Sequence, residues 1–173
     1  MSGTMLRSLD ELQHLAGGLD HPEGVAWGQD GYIYAGGEAG QIYRIDPDTG
    51  HFTEIANTGG FILGLCLDGH NNIYACDEIL HKVFRISPSG EVSVYSTGTD
   101  DHPMLLPNYP VFDKIGNLYV SASGDWDGNN GCIYCIQLNG KTAVVTDANL
   151  PFINGLALHP TESMLYAALS NMP

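Results

Sequence analysis

Glu23, Asn108 and Asn154 stand at equivalent places in a repeated pattern, each leading a short apolar run, and Leu63 holds the fourth such place. A carboxylate and two carboxamides offer oxygen, the donor that hard cations take. Calcium accepts six to eight oxygen ligands, Asn carbonyls among them, in a flexible geometry. Any one of the three residues alone is explained as a turn former. Three in register, each on a different repeat, point instead to one shared site.

The elements that must position them recur with the same regularity. A Tyr-centred triplet appears as Ile33-Tyr34-Ala35, Ile73-Tyr74-Ala75, Leu118-Tyr119-Val120 and Leu165-Tyr166-Ala167, at intervals of 40, 45 and 47 residues. A polar turn precedes each triplet, and an apolar run precedes each turn. A third run follows, at 41–45, 82–86 and 132–136, then a Gly turn and a more polar fourth run at 52–56, 92–96 and 142–146. The β-branched and aromatic content with tight Gly turns predicts strands. Units of about 40–50 residues built from four short strands are propeller blades.

The expected fold is therefore all-β, a β-propeller of four-stranded antiparallel blades near 22–58, 63–98 and 108–147, with a truncated blade at 154–173. About three and a half blades are present, whereas propellers close with roughly four to eight. The remainder of the propeller is then the expected partner that closes the ring; a ring completed by two copies is the other arrangement. Residues 9–18 read as the closing outer strand of a missing last blade. In such a meander the first strand is innermost, so the lead residues face the central channel. The loops between second and third strands open on the same mouth, with Glu38, Asp77, Glu78 and the long insert at 124–131.

That insert contains Asp125 and Trp126, read as substrate contacts: the indole stacking on a sugar-like ring and the carboxylate accepting from its hydroxyls. A wide polar turn is the alternative. An independent calcium loop is disfavoured, because its sixth position is Asn130 and its twelfth Ile136. His21 and His102 fall near the same face and are further candidate substrate contacts. His70 and His159 lie in turns on the opposite face. Asp30 and Asp113 are expected to brace hairpin turns.

Composition narrows the classes. With three lysines and three arginines against 20 acidic residues, the formal charge is −14. No basic patch suits nucleic acid, and no apolar run suits a membrane span. Cys66, Cys76, Cys132 and Cys135 form no disulfide-style framework, which points to a cytoplasmic chain. Cys132 and Cys135 have the spacing of a metal pair, but on a strand residues three apart face opposite sides. No His-Glu-x-x-His or Gly-x-Ser-x-Gly motif is present.

The segments His21-Pro22-Glu23-Gly24-Val25-Ala26-Trp27, Leu106-Pro107-Asn108-Tyr109-Pro110-Val111-Phe112-Asp113 and Ile153-Asn154-Gly155-Leu156-Ala157 resemble the SMP-30/gluconolactonase/LRE family of six-bladed propellers. The resemblance implies a divalent metal at the top of the channel, calcium first, with zinc, magnesium or manganese as the other choices. It maps metal ligands onto Glu23 and Asn154, and a metal- or substrate-contacting Asn onto Asn108. It implies a lactone substrate opened by metal-assisted hydrolysis. The family's remaining key residue, an Asp serving as ligand and general base, is expected beyond Pro173, so no complete catalytic set is expected within these residues. A propeller that binds a small ligand or partner protein without hydrolysis, like strictosidine-synthase-like or NHL-type proteins, is the rival reading.

Overall fold

The structure, a computed structural model, describes residues 11–146 and 149–171. Three four-stranded antiparallel sheets follow one another along the chain. The first holds β1 (Val25–Trp27), β2 (Ile33–Gly36), β3 (Gln41–Ile45) and β4 (Phe52–Asn57). The second holds β5 (Ile62–Leu67), β6 (Ile73–Asp77), β7 (Lys82–Ile86) and β8 (Val92–Ser96). The third holds β9 (Pro107–Phe112), β10 (Leu118–Ala122), β11 (Cys132–Ile136) and β12 (Thr142–Val144). A final pair, β13 (Ile153–Leu158) and β14 (Leu165–Leu169), completes the described strands. Each sheet pairs its strands in sequence order, the meander of a propeller blade.

The Tyr triplets start β2, β6, β10 and β14. A second strand with sheets packed on both sides has two apolar faces, so it reads as a continuous apolar run rather than an alternating one. β6 is the clear case, with all five residues buried. Tyr34, Ile62, Leu65, Ile73 and Phe84 fill the space between the first and second sheets. Tyr74, Val83, Leu118, Val120 and Tyr134 fill the next, and Ile133, Ile153 and Leu156 the last. The uncovered faces lie at the two ends of the row, where Val25, Trp27 and Tyr166 are at least half exposed.

Three of the turns before second strands are braced by carboxylates, by Asp30 and Asp113 as the sequence predicts and by Asp68 in addition. Asp68 accepts from the His70 and Asn72 amides at 2.8 and 2.9 Å, and Asp113 from those of Ile115 and Asn117 at 3.1 and 2.7 Å. Asp30 accepts from Tyr34 Oη at 2.9 Å and from Arg44, whose guanidinium also stacks 3.4 Å from the Tyr32 ring centre.

Two local expectations differ. Residues 11–18 form no strand, and Leu9 and Asp10 lie outside the described residues. Ala16 and Leu19 instead pack on Tyr43 and Ile45, on the outer side of the first sheet. The Leu15 carbonyl comes so close to Gly50 that any Cβ there would collide with it. The third sheet's outer strand ends at Val144 rather than near residue 146, although the Val145 amide still donates to the Ile133 carbonyl at 2.7 Å.

Candidate functional site

Three of the four lead residues lie inside their first strands rather than before them. Leu63, Asn108 and Asn154 each sit in an irregularity of the inner strand's pairing. Ile62 faces Asp77 and Leu65 faces Ala75, so Leu63 and Gly64 share one partner position. Pro107 faces Ala122 and Tyr109 faces Ser121, which leaves Asn108 as the extra residue. Ile153 faces Leu169 and Leu156 faces Ala167, which places Asn154 and Gly155 in the same bulge. A bulge bends its strand and re-aims a side chain, and here it recurs in three successive sheets. Glu23 alone precedes its strand.

The inner strands approach one another closely at these points. A Cβ on Gly24 would lie 2.7 Å from the Leu63 carbonyl oxygen, and one on Gly64 would collide with that of Asn108. Glycine after the lead residue lets adjacent blades converge. As a result Glu23, Asn108 and Asn154 line one cavity of about 330 Å³. Its walls also include Phe61, Leu63, Glu78, Tyr109 and Phe152.

Two buried serines, Ser121 on β10 and Ser123 just beyond it, hold the bulged strands. Ser121 Oγ receives the Tyr109 amide at 3.0 Å and donates to the Asn154 carbonyl at 2.7 Å. Ser123 Oγ donates its only proton to the Ile153 carbonyl, so toward Asn108 it can only accept. It accepts from Asn108 Nδ2 at 3.0 Å. That bond fixes the carboxamide with its nitrogen inward. Asn108 is 7% exposed, and no donor among the described residues reaches its Oδ1. Asn154 Nδ2 donates to Ser170 Oγ at 3.2 Å in the same manner.

Glu78 belongs to the cavity as well, although the repeated lead positions do not reveal it. Burial raises its carboxyl above the usual range, and the charges of Asp77 and Glu23 raise it further. Asp77, read from sequence as part of the open mouth, is completely buried. Its carboxylate accepts from Thr58 Oγ1 at 2.7 Å, the Phe61 amide at 3.2 Å and the Leu80 amide at 2.9 Å. On a strand, neighbours face opposite ways, so the inward Asp77 turns Glu78 outward to the cavity.

The remaining candidates are dispersed. His21 is exposed, with Nδ1 2.7 Å from Glu38 Oε2 and 3.3 Å from Asp20 Oδ1, and none of these three side chains lines the cavity that holds Glu23. His102 lines a different cavity of about 410 Å³, with Met104, Cys132 and Tyr134, and so is not brought to Glu23. Its segment is pinned there by Tyr134 Oη, which donates to the carbonyls of His102 and Pro103, both at 3.1 Å. Asp125 closes on Asn130: the Asp125 amide donates to Asn130 Oδ1, and Asn130 Nδ2 returns a bond to Asp125 Oδ2, both at 2.9 Å. Trp126 stacks edge-on against Phe152 at 4.7 Å, which places its ring beside the cavity wall. Cys132 joins the core between the second and third sheets, whereas Cys135 lies against Tyr119 on the opposite side, and all four cysteines are free.

A family model described as the SMP-30/Gluconolactonase/LRE-like region matches residues 22–171. The chain belongs to this family. Among solved structures, this SMP-30/gluconolactonase/LRE-like chain is similar to a gluconolactonase from Xanthomonas campestris, with 17% identity and a TM-score of 0.79 over 90% of this chain and 57% of that one. A putative gluconolactonase gives 17% identity and 0.77, over 91% and 59%. Virginiamycin B lyase from Staphylococcus aureus gives 17% and 0.67, over 87% and 49%. The family chain thus spans less than three fifths of each of these structures, and identities this low establish the fold they share. No curated protein matches the sequence significantly.

Proposed function

We propose that the chain forms the metal-holding part of a metal-dependent hydrolase of the gluconolactonase type, opening a sugar-derived or similar lactone. The observation that carries this reading is the convergence of Glu23, Asn108 and Asn154, from three separate blades, on one cavity. The donor set fits a hard divalent cation. It offers carboxylate and carboxamide oxygens, and the buried Asn108 turns an unpartnered Oδ1 toward the opening. Calcium suits such a set best, with zinc, magnesium or manganese as alternatives.

When bound, the cation would polarise the lactone carbonyl and stabilise the negative charge that develops as water attacks. The chain's own residues have definite tasks beside it. Glu23 supplies the anionic anchor. Ser123 holds Asn108 so that a neutral oxygen, rather than an amide proton, faces the site. Asn154 offers its own carboxamide oxygen while its nitrogen is engaged by Ser170. Phe61, Leu63 and Phe152 form the apolar wall that limits water. Trp126, on Phe152, offers a flat face to a sugar-like ring. The proton acceptor in this reading is an Asp from a further blade of a completed ring, and the reading expects no turnover without it. The four free cysteines accord with a cytoplasmic setting; among the described residues no helix is long and apolar enough to cross a membrane.

Calorimetric titration with Ca²⁺, beside titration of released acid from glucono-1,5-lactone, tests the proposal. The expected results are saturable Ca²⁺ binding that Glu23→Gln abolishes, and no lactone hydrolysis by this chain alone. Absence of binding for Ca²⁺, Zn²⁺, Mg²⁺ and Mn²⁺ would overturn the metal site. Metal-independent turnover by the chain would overturn the mechanism.

A further inference from the structure

The residue leaving each second strand follows the start of the Tyr triplet by five positions in every blade: Glu38, Glu78, Ser123 and Ser170. All four carry side-chain oxygen. In the third sheet and the final pair, this exit residue is a serine bonded to the lead asparagine of its own blade, Ser123 to Asn108 at 3.0 Å and Ser170 to Asn154 at 3.2 Å. Lead and exit side chains of one blade therefore meet at the same mouth.

The second blade breaks the pairing. Its lead residue, Leu63, has no polar atom to offer, and its exit residue is a carboxylate. Glu78 lines the cavity with Glu23, Asn108 and Asn154. Its backbone is fixed by the bond from its amide to the Phe61 carbonyl at 2.9 Å and by the Asp77 clamp one residue earlier. The equivalent Glu38 in the first blade is turned to His21 and is absent from the cavity lining.

Two carboxylates thus share a cavity whose lining contains no lysine, arginine or histidine. The buried Asn108, with its Oδ1 unpartnered among the described residues, adds a neutral oxygen to the same space. Nothing in that lining offsets two negative charges, whereas a divalent cation matches both.

We propose that Glu78 is a second anionic ligand for the cation, supplied from the exit of the second strand because the lead position of that blade is apolar. This inference rests on the metal-site reading given above and adds to it a ligand that the lead-residue pattern does not contain. Its consequence is selectivity: two carboxylates favour divalent over monovalent ions, since affinity at oxygen sites follows the count of charged ligands.

The test is Ca²⁺ calorimetry on the 173-residue chain as wild type and as Glu78→Gln, Glu78→Asp, Glu38→Gln and Glu23→Gln, with circular dichroism confirming the fold of each. The expectation is on the order of tenfold or greater weakening in Glu78→Gln. Glu78→Asp, which keeps the charge, should recover part of the loss. Glu38→Gln should bind as wild type does. Wild-type affinity in Glu78→Gln, with binding lost in Glu23→Gln, would overturn the role of Glu78 and leave the metal site standing. Equal losses in Glu38→Gln and Glu78→Gln would also overturn it, by showing a general effect of negative charge. No Ca²⁺ binding by the wild type would overturn both readings.

Discussion

Asp77→Ala should be among the most damaging single changes that can be made near the cavity without touching its lining. The carboxylate is completely buried and ties two segments together: Thr58 and Phe61, from the crossover between the first two sheets, and Leu80, beyond β6. Hydrogen bonds to a charged group contribute about 1.5–3 kcal/mol each, and a buried donor left unpaired costs about 1–3 kcal/mol. The three bonds are not fully additive. Thr58 Oγ1 has an alternative acceptor in the Gly40 carbonyl at 3.4 Å, so its hydroxyl can turn there. The Phe61 and Leu80 amides lose their acceptor. The net cost is about 3–5 kcal/mol. With an m-value of about 2 kcal/mol/M, the urea midpoint should fall by about 1.5–2.5 M at pH 7, read by circular dichroism. Asp77→Asn separates geometry from bulk. Its Oδ1 can stay on both amides while its NH₂ faces Thr58, so the loss should be about 1 kcal/mol. A loss below about 1 kcal/mol in Asp77→Ala, or equal losses in the two variants, would refute the clamp.

Two further expectations follow from the same geometry. Gly64→Ala drives a methyl into the Asn108 backbone and should cost about 1–3 kcal/mol, whereas Gly155→Ala meets nothing within 4 Å and should stay within about 0.5 kcal/mol; paired urea titrations compare them directly, and similar losses would refute convergence at the inner strands. Acid sensitivity should come partly from Asp68, whose burial alone would raise its carboxyl but whose bonds from the Asn72 side chain, the His70 and Asn72 amides and Tyr74 hold it below the usual value. A depressed folded value means the stabilisation is present above the unfolded value, near ~3.9, and is lost as pH falls through the lower folded one. Asp68→Asn should therefore be less stable than wild type at neutral pH, with the gap closing below about pH 3.9; a gap that is constant with pH would contradict this.

The repeat was legible in the sequence, because blade construction is local. The Tyr triplets fall on second strands, and Asp113 braces its turn through amides only two and four residues away. Such features depend on neighbours in the chain, and periodicity records them. Register could also be extended from one blade to the next, which is why Glu23, Asn108 and Asn154 could be selected together.

Tertiary structure decided which of the remaining polar residues reach the cavity. His102 was close in register but follows the crossover into the third sheet, where Tyr134 holds its carbonyl beside another cavity. Glu38 and Glu78 occupy equivalent positions, yet His21 takes one while the other remains at the cavity. Asp77 and Glu78 are adjacent in sequence, and only pairing of β6 buries the first and exposes the second to the site. The bulges at Leu63, Asn108 and Asn154 carry no sequence mark of their own. They lie where neighbouring inner strands meet, β1 on β5, β5 on β9 and β9 on β13, and such contacts between blades are absent from any single repeat.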